Sequence, residues 1–268
     1  MRTIAFIGVG NMAGAIIGGM LRSGAVDHPH LILSDCFPEK CAAYAAEGAV
    51  VAASPAEAAA RADCVVLSVK PQNFSEILPE LATVEGIQNK LIITIAAGIS
   101  SETVKTALLG APVVRVLPNT PMLIGMGVSV ICRAADVTPE DFDFVCKAFE
   151  ASGSVLVIDE ADMNPIISVT SSSPAYVFAF IDAIRAGAVA QGLDGDAMLS
   201  SICDVVIGAA TLLKSGSLSP AEQIARVTSK GGTTERAMKV LRERDMAAVV
   251  AEAMQACTDR AEEMSRTM

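Results

Sequence analysis

Tryptophan is absent from the 268 residues, and tyrosine and histidine occur twice each. A core without large aromatics has to be filled by aliphatic and small side chains, and the many alanines and 20 glycines suit close helix–helix and helix–sheet packing. Positive charge is scarce: 20 Lys and Arg stand against 30 Asp and Glu, a net charge of −10. That balance lacks the basic footprint of a nucleic-acid binder, so no nucleic-acid partner is expected. A small anionic substrate then needs a local site of cations or backbone N–H groups. The seven cysteines are odd in number and contain no C-x-x-C pair. This argues against a disulfide framework or zinc site, and for free thiols in a reducing cytoplasm. The histidines, His28 and His30, share an Asp-His-Pro-His loop with no further ligand near in sequence, so no metal is expected. That loop is not a strand end, which argues against a His–Asp alcohol dehydrogenase arrangement.

Long apolar runs are missing too. The first, Ile4–Val9, is too short for a signal peptide and breaks into glycines. The stretch from Met163 to Ile181 is uncharged, but its Ser/Thr run, Asn164 and two prolines argue against a membrane span, so no membrane partner is expected. Its second half reads as a helix buried on most sides.

What is present alternates. Candidate strands are Thr3–Ile7, Leu31–Ser34, Cys64–Leu67, Leu91–Ile95, Val113–Leu117, Val128–Cys132 and Ser154–Ile158, with helical patterns at 11–23, 39–47 and 55–60. This alternation implies an α/β domain with a doubly wound parallel sheet covered on both faces. Beyond about Asp162 only helices are expected, near 174–191, 195–215, 219–227, 233–243 and 246–267. The domain boundary therefore falls near 160, giving a dinucleotide-binding domain over 1–160 and an all-helical domain over 161–268. The first helix of the second domain and much of Ile202–Leu213 are apolar nearly all round, and such helices must be enclosed. Five helices enclose about one of them, so a second subunit is expected to complete the core as an intertwined dimer.

Two glycine clusters carry chemistry. The first strand runs into Gly8-Val9-Gly10-Asn11-Met12-Ala13 and a helix, the G-x-G-x-x-A pattern in its required context. Gly8 permits the tight turn, Gly10 close approach to a pyrophosphate, and Ala13 tight packing of the helix. The second strand ends at Ser34-Asp35. Asp35 either bonds the adenosine ribose 2′-hydroxyl, which would favour NADH, or caps the helix near Pro38. Further strand ends carry Val69-Lys70, Ala96-Ala97 and Asn119, where open α/β sheets bind ligands. Lys70 is a ligand cation there or a surface lysine near a turn. Asn119 bonds the nicotinamide carboxamide or closes a turn between prolines. The second cluster, Ser229-Lys230-Gly231-Gly232-Thr233-Thr234, enters a helix. Its backbone N–H groups, hydroxyls and helix start make a small-anion site suited to a carboxylate, or else a helix cap with a flexible turn.

These motifs, with RVLPNTP (115–121), SSSPAYVF (171–178) and VTSKGGTT (227–234) in that order, resemble the pyrroline-5-carboxylate reductase family over essentially the whole chain. The resemblance implies a Rossmann-type N-terminal domain and a C-terminal helical dimerisation domain, interlocked as a homodimer and often built into a decamer. It implies reduction of 1-pyrroline-5-carboxylate to L-proline with NADPH or NADH. A reductase of a related cyclic imino acid and a non-catalytic dinucleotide-binding regulator are the alternatives. By the resemblance, Gly8, Gly10, Asn11 and Met12 bind the pyrophosphate, and Val69, Lys70, Ala96, Ala97 and Asn119 line the nicotinamide side. Ser229, Gly232 and Thr233 hold the substrate carboxylate, and Thr234 bonds the ring nitrogen as proton donor. The chain departs from the family at Lys230, where proline is usual, and at Ser171-Ser172-Ser173, where Gly-Ser-Gly or Gly-Ser-Ser is common.

Overall fold

The computed structural model describes residues 1–133 and 135–267. Eight strands form one sheet: β1 Ile4–Ile7, β2 Leu31–Ser34, β3 Val50–Val51, β4 Cys64–Leu67, β5 Leu91–Thr94, β6 Val113–Leu117, β7 Gly127–Arg133 and β8 Gly153–Val157. Their order is β3-β2-β1-β4-β5-β6-β7-β8. The chain runs outward from β1 on one side, then returns to β4 and runs outward on the other. The switch point thus lies between β1 and β4, where such sheets bind ligands.

β1, β2, β4, β5 and β6 are buried at every position, as strands covered on both faces must be. Alternate residues serve the two faces. On one, Ile4, Phe6, Leu31, Leu33 and Val66 pack with Ile16, Ile17 and Met20 of α1 (Asn11–Ser23) and Phe149 of α6 (Pro139–Glu150). On the other, Ala5, Ile7, Val65 and Leu67 meet α3 (Pro55–Ala60), α4 (Phe74–Ala82) and α5 (Ser101–Ala107). A short helix, α2 (Ala42–Ala46), follows a 3₁₀ turn at Pro38–Cys41 where the sequence suggests one continuous helix.

The sheet is mostly, not wholly, parallel. β7 runs antiparallel to β6, and β8 is parallel to β7. The segment between β6 and β7 is too short for a helical crossover of a dozen or more residues, so the chain turns straight back. Helices α4, α5 and α6 and the two-residue strand β3 are additions to the sequence reading.

By internal contacts the chain forms two compact units, Met1–Ser172 with the chain from Cys257 onward, and Ser173–Ala256. The connector out of the sheet carries a π-helical turn at Ile167–Ser171. The second unit contains α7 (Ser173–Ala190), α8 (Gly195–Ser215), α9 (Pro220–Val227), α10 (Thr233–Glu243) and the first half of α11 (Met246–Thr267). Local signals set these starts. Asp194 accepts from the N–H groups of Asp196 and Ala197, and Ser219 and Glu222 form a reciprocal capping box. Arg185 binds both Asp182 and Asp196, tying α7 to α8.

In a single copy α7 buries none of its residues, and α8 buries only Gly195 and Ile202. Phe178 is 62% and Val205 69% exposed. The sequence reading of α7 as a buried helix therefore does not hold within one chain. By length and composition alone, the helical stretches Ile167–Ala190 and Gly195–Ser215 are long and apolar enough to cross a membrane.

Candidate active site

The first site is assembled at the carboxyl end of β1. Gly8 has φ +93°, and a Cβ there would lie 2.9 Å from the Ser68 carbonyl oxygen and from Val69 Cγ1. Glycine is thus required twice, by conformation and by space. Its N–H donates to the Ser34 carbonyl at 2.7 Å, and its own carbonyl accepts from the Ser68 hydroxyl at 2.6 Å. Neighbouring strand ends therefore hold the loop. Gly10 then caps α1 with no side-chain acceptor, and the first turn carries no acidic residue. Space is open where a Gly10 Cβ would stand. A helix start left uncapped and approachable offers its orphan N–H groups and positive dipole end to a phosphate. A cavity of about 410 Å³ opens here, lined by Val9, Gly10, Asn11, Gly14, Lys40, Tyr44 and Leu123. Gly10 and Asn11 thus reach it. Met12 is half-buried and does not line it, and Ala13 is buried against the core.

Asp35 is turned inward. Its carboxylate accepts from Val9 N–H at 2.7 Å and Phe37 N–H at 2.8 Å, pairs with Lys40 at 3.2 Å and takes the Cys36 thiol at 3.7 Å. Burial pushes its pKa up, but the Val9 and Phe37 bonds and Lys40 outweigh it, so the group stays below the usual carboxylate range. A carboxylate offers about four acceptor sites, and these partners occupy them. A ribose hydroxyl would have to displace one. The contacts seen are those of a brace for the glycine loop. Lys40, Tyr44 and Leu123 went unnoticed in sequence as lining residues because they come from segments brought together by the fold.

Along the same sheet edge, Val69 is half-buried, Lys70 exposed, Ala96 buried and Ala97 half-buried. Register places Ile7 beside Leu67 and Leu67 beside Thr94, so these ends are adjacent. Asn119 is only 7% exposed. Its Oδ1 accepts Val128 N–H at 2.8 Å and its Nδ2 donates to the Thr170 carbonyl at 3.1 Å. Those two bonds tie β7 and the connector together, as a turn-closing residue does. Any bond to a carboxamide would use what the amide has left.

The second glycine cluster lies within the helical unit. Gly231 has φ +76° and its N–H donates to Glu235 Oε2 at 2.8 Å. Gly232 N–H donates to the Ser229 carbonyl at 2.9 Å, and Gly232 caps α10 without a side-chain acceptor. A Cβ on Gly232 would stand 2.6 Å from Ser229 Oγ. The first-turn N–H groups of α10 are left to a ligand, with Ser229, Lys230 and Thr233 exposed around them and Thr234 half-buried. This repeats the chemistry of Gly10 and α1 at a different point of the chain. Among the described residues, no group of three or more His, Cys, Asp or Glu side chains is placed to hold a metal.

Comparison with known proteins follows the same division. Residues 160–264 match the family model described as pyrroline-5-carboxylate reductase dimerisation. Residues 3–98 match the one described as NADP oxidoreductase coenzyme F420-dependent. The pyrroline-5-carboxylate reductase of Vibrio alginolyticus is 36% identical, over 99% of this chain and 98% of that protein. A crystal structure of 1-pyrroline-5-carboxylate reductase from Streptococcus pyogenes is 30% identical, with a TM-score of 0.89 and 98% of each chain covered. The pyrroline carboxylate reductase of Plasmodium falciparum, solved with NADP bound, shares the fold at a TM-score of 0.90 with 23% identity, over 98% of each chain.

Proposed function

Because this chain belongs to the pyrroline-5-carboxylate reductase family, we propose that it reduces the ring C=N bond of 1-pyrroline-5-carboxylate to L-proline, with NADPH or NADH as cofactor. The observation that carries the reading is the pair of glycine-led helix starts, Gly10–Asn11 and Gly232–Thr233, each without a side-chain cap. One suits a pyrophosphate and the other a carboxylate. When bound, the reduced nicotinamide supplies the hydride.

The remaining work falls to the chain's own groups. Gly8, Gly10 and Asn11, with the backbone N–H of Met12, form the pyrophosphate cradle, braced by Ser34 and Asp35. Val69, Lys70, Ala96, Ala97 and Asn119 form the nicotinamide side at the sheet edge. Ser229, Gly232 and Thr233 hold the carboxylate. Thr234 donates a hydrogen bond to the ring nitrogen and delivers its proton. A protonated imine already carries the charge that draws a hydride, so the enzyme's main contribution is orientation of two reactants. No histidine is needed, in keeping with His28 and His30 being engaged by Glu47 and Asp27.

The apolar faces of α7 and α8 lie within the stretch that matches a dimerisation domain. The protein is a homo-oligomer on that ground, and we take the unit to be an intertwined dimer, built further into a decamer, acting in the cytoplasm. The test is NADH and NADPH oxidation in the presence of 1-pyrroline-5-carboxylate. Thr234→Ala is expected to lower kcat about 10- to 100-fold. Unchanged kinetics would remove Thr234 from the reaction.

A further inference from the structure

The RVLPNTP segment does something that its place at the sheet edge does not require. Arg115 is 2% exposed, in the middle of β6, whose other residues are all apolar. Its guanidinium donates to Glu160 Oε1 at 2.8 Å and to Asn164 Oδ1 at 3.0 Å, while its Nε has no partner among the described residues. Glu160 in turn accepts from the Ser101 hydroxyl at 2.9 Å at the start of α5. Asn164 donates to Ser265 Oγ at 3.1 Å on α11. Four residues on, Asn119 holds the Thr170 carbonyl. Ser172 Oγ and Cys257 Sγ lie 3.3 Å apart. Leu117, Val130, Met163, Ile167 and Ala261 pack the apolar space around these contacts.

These partners share one property. Glu160, Asn164 and Thr170 lie on the segment by which the chain leaves the sheet unit, and Ser265 and Cys257 on the segment by which it returns. A buried cation with an unpaired Nε is a poor device for stability, since apolar residues of equal volume often do as well or better. Its strength is geometric, because a guanidinium fork accepts few arrangements of its partners. We infer that Arg115, with Asn164, is a positioning residue for the reduction: within the sheet unit it fixes both chain segments from which the helical unit, with its substrate loop 229–234, departs and returns. The inference rests on the reading of that loop as the carboxylate site.

The test uses the full chain with Arg115→Met, Arg115→Lys and Asn164→Ala. The last leaves the Arg115–Glu160 pair in place, so the sheet core is retained. Hydrogen exchange is followed without substrate, with NADH affinity by fluorescence titration and steady-state rates on 1-pyrroline-5-carboxylate. Arg115→Met is expected to raise exchange in 160–172 and 257–267 while β1, β4 and β5 stay protected. It should leave NADH affinity within about twofold and lower kcat about 10- to 100-fold, as misplacement of a bound reactant does. Arg115→Lys should recover part of the rate, and Asn164→Ala should fall between it and wild type. Exchange in the two segments that matches wild type in both Arg115→Met and Asn164→Ala overturns the inference. So does a rate loss matched by weaker NADH binding or by exchange across the whole sheet. A chain with no activity on this substrate, yet with the exchange pattern above, would instead remove the substrate assignment.

Discussion

The sheet unit and the helical unit are written in similarly apolar sequence, yet only the first buries it within one chain. In the sheet unit, five strands are buried at every position and each face has its own aliphatic cluster. In the helical unit α7, α9 and α10 bury nothing, although α8 and α9 each begin at a side-chain cap. Local chemistry is enough to form helices there, but a core needs a second layer, and a dimerisation domain obtains it from another copy. The contrast shows that helix formation and core formation are separate problems: within one chain the sheet unit solves both and the helical unit only the first.

That contrast can be broken most sharply at α7. Phe178→Asp places a charge on a face that pairing would bury, at a cost of several kcal/mol. Sedimentation is expected to show a monomer, with loss of activity. An unchanged mass would mean that α7 is not at the joint. A smaller effect sharpens the comparison. Phe6→Ala in the sheet core should cost about 3–5 kcal/mol at any protein concentration, as a fully buried aromatic does. Phe178→Ala should instead lower Tm by an amount that depends on concentration, because its burial is linked to association. Thermal denaturation at two concentrations a hundredfold apart distinguishes the two.

The smallest effect is acid-dependent and belongs to the sheet unit alone. Burial pushes the Glu160 carboxyl up, but Arg115 and Ser101 outweigh it and hold the group below its ordinary value of 4.5. Its contribution is therefore fully present above that value and is lost as pH falls through the lower, folded one. Glu160→Gln should flatten the Tm profile below pH 4.5 and leave its slope above unchanged. A variant with the wild-type acid slope would show that Glu160 does not titrate with folding.

Much of the architecture was legible from residues alone. Strands buried on both faces are continuous apolar runs, so β1, β2, β4 and β6 could be placed closely, and three of the five late helices carry start signals at Pro174, Asp194 and Ser219. The reversal of β7 was not legible, since an apolar run has no direction. β3, two residues long, gives no pattern. Of the binding machinery, both glycine loops could be found because the turn and the uncapped helix start are made by adjacent residues. Lys40, Tyr44 and Leu123 could not, being brought to the cavity from separate segments.

The sequence by itself therefore determined the backbone at Gly8 and Gly231, the uncapped starts of α1 and α10, and the identity of every late helix. Each depends on torsions and hydrogen bonds within a few residues. Only the tertiary structure decided that Asp35 braces the glycine loop and that Arg115 finds Glu160 and Asn164, 45 and 49 residues away. Distant partners meet through topology, and no local preference of an arginine in an apolar strand says which carboxylate will come to face it.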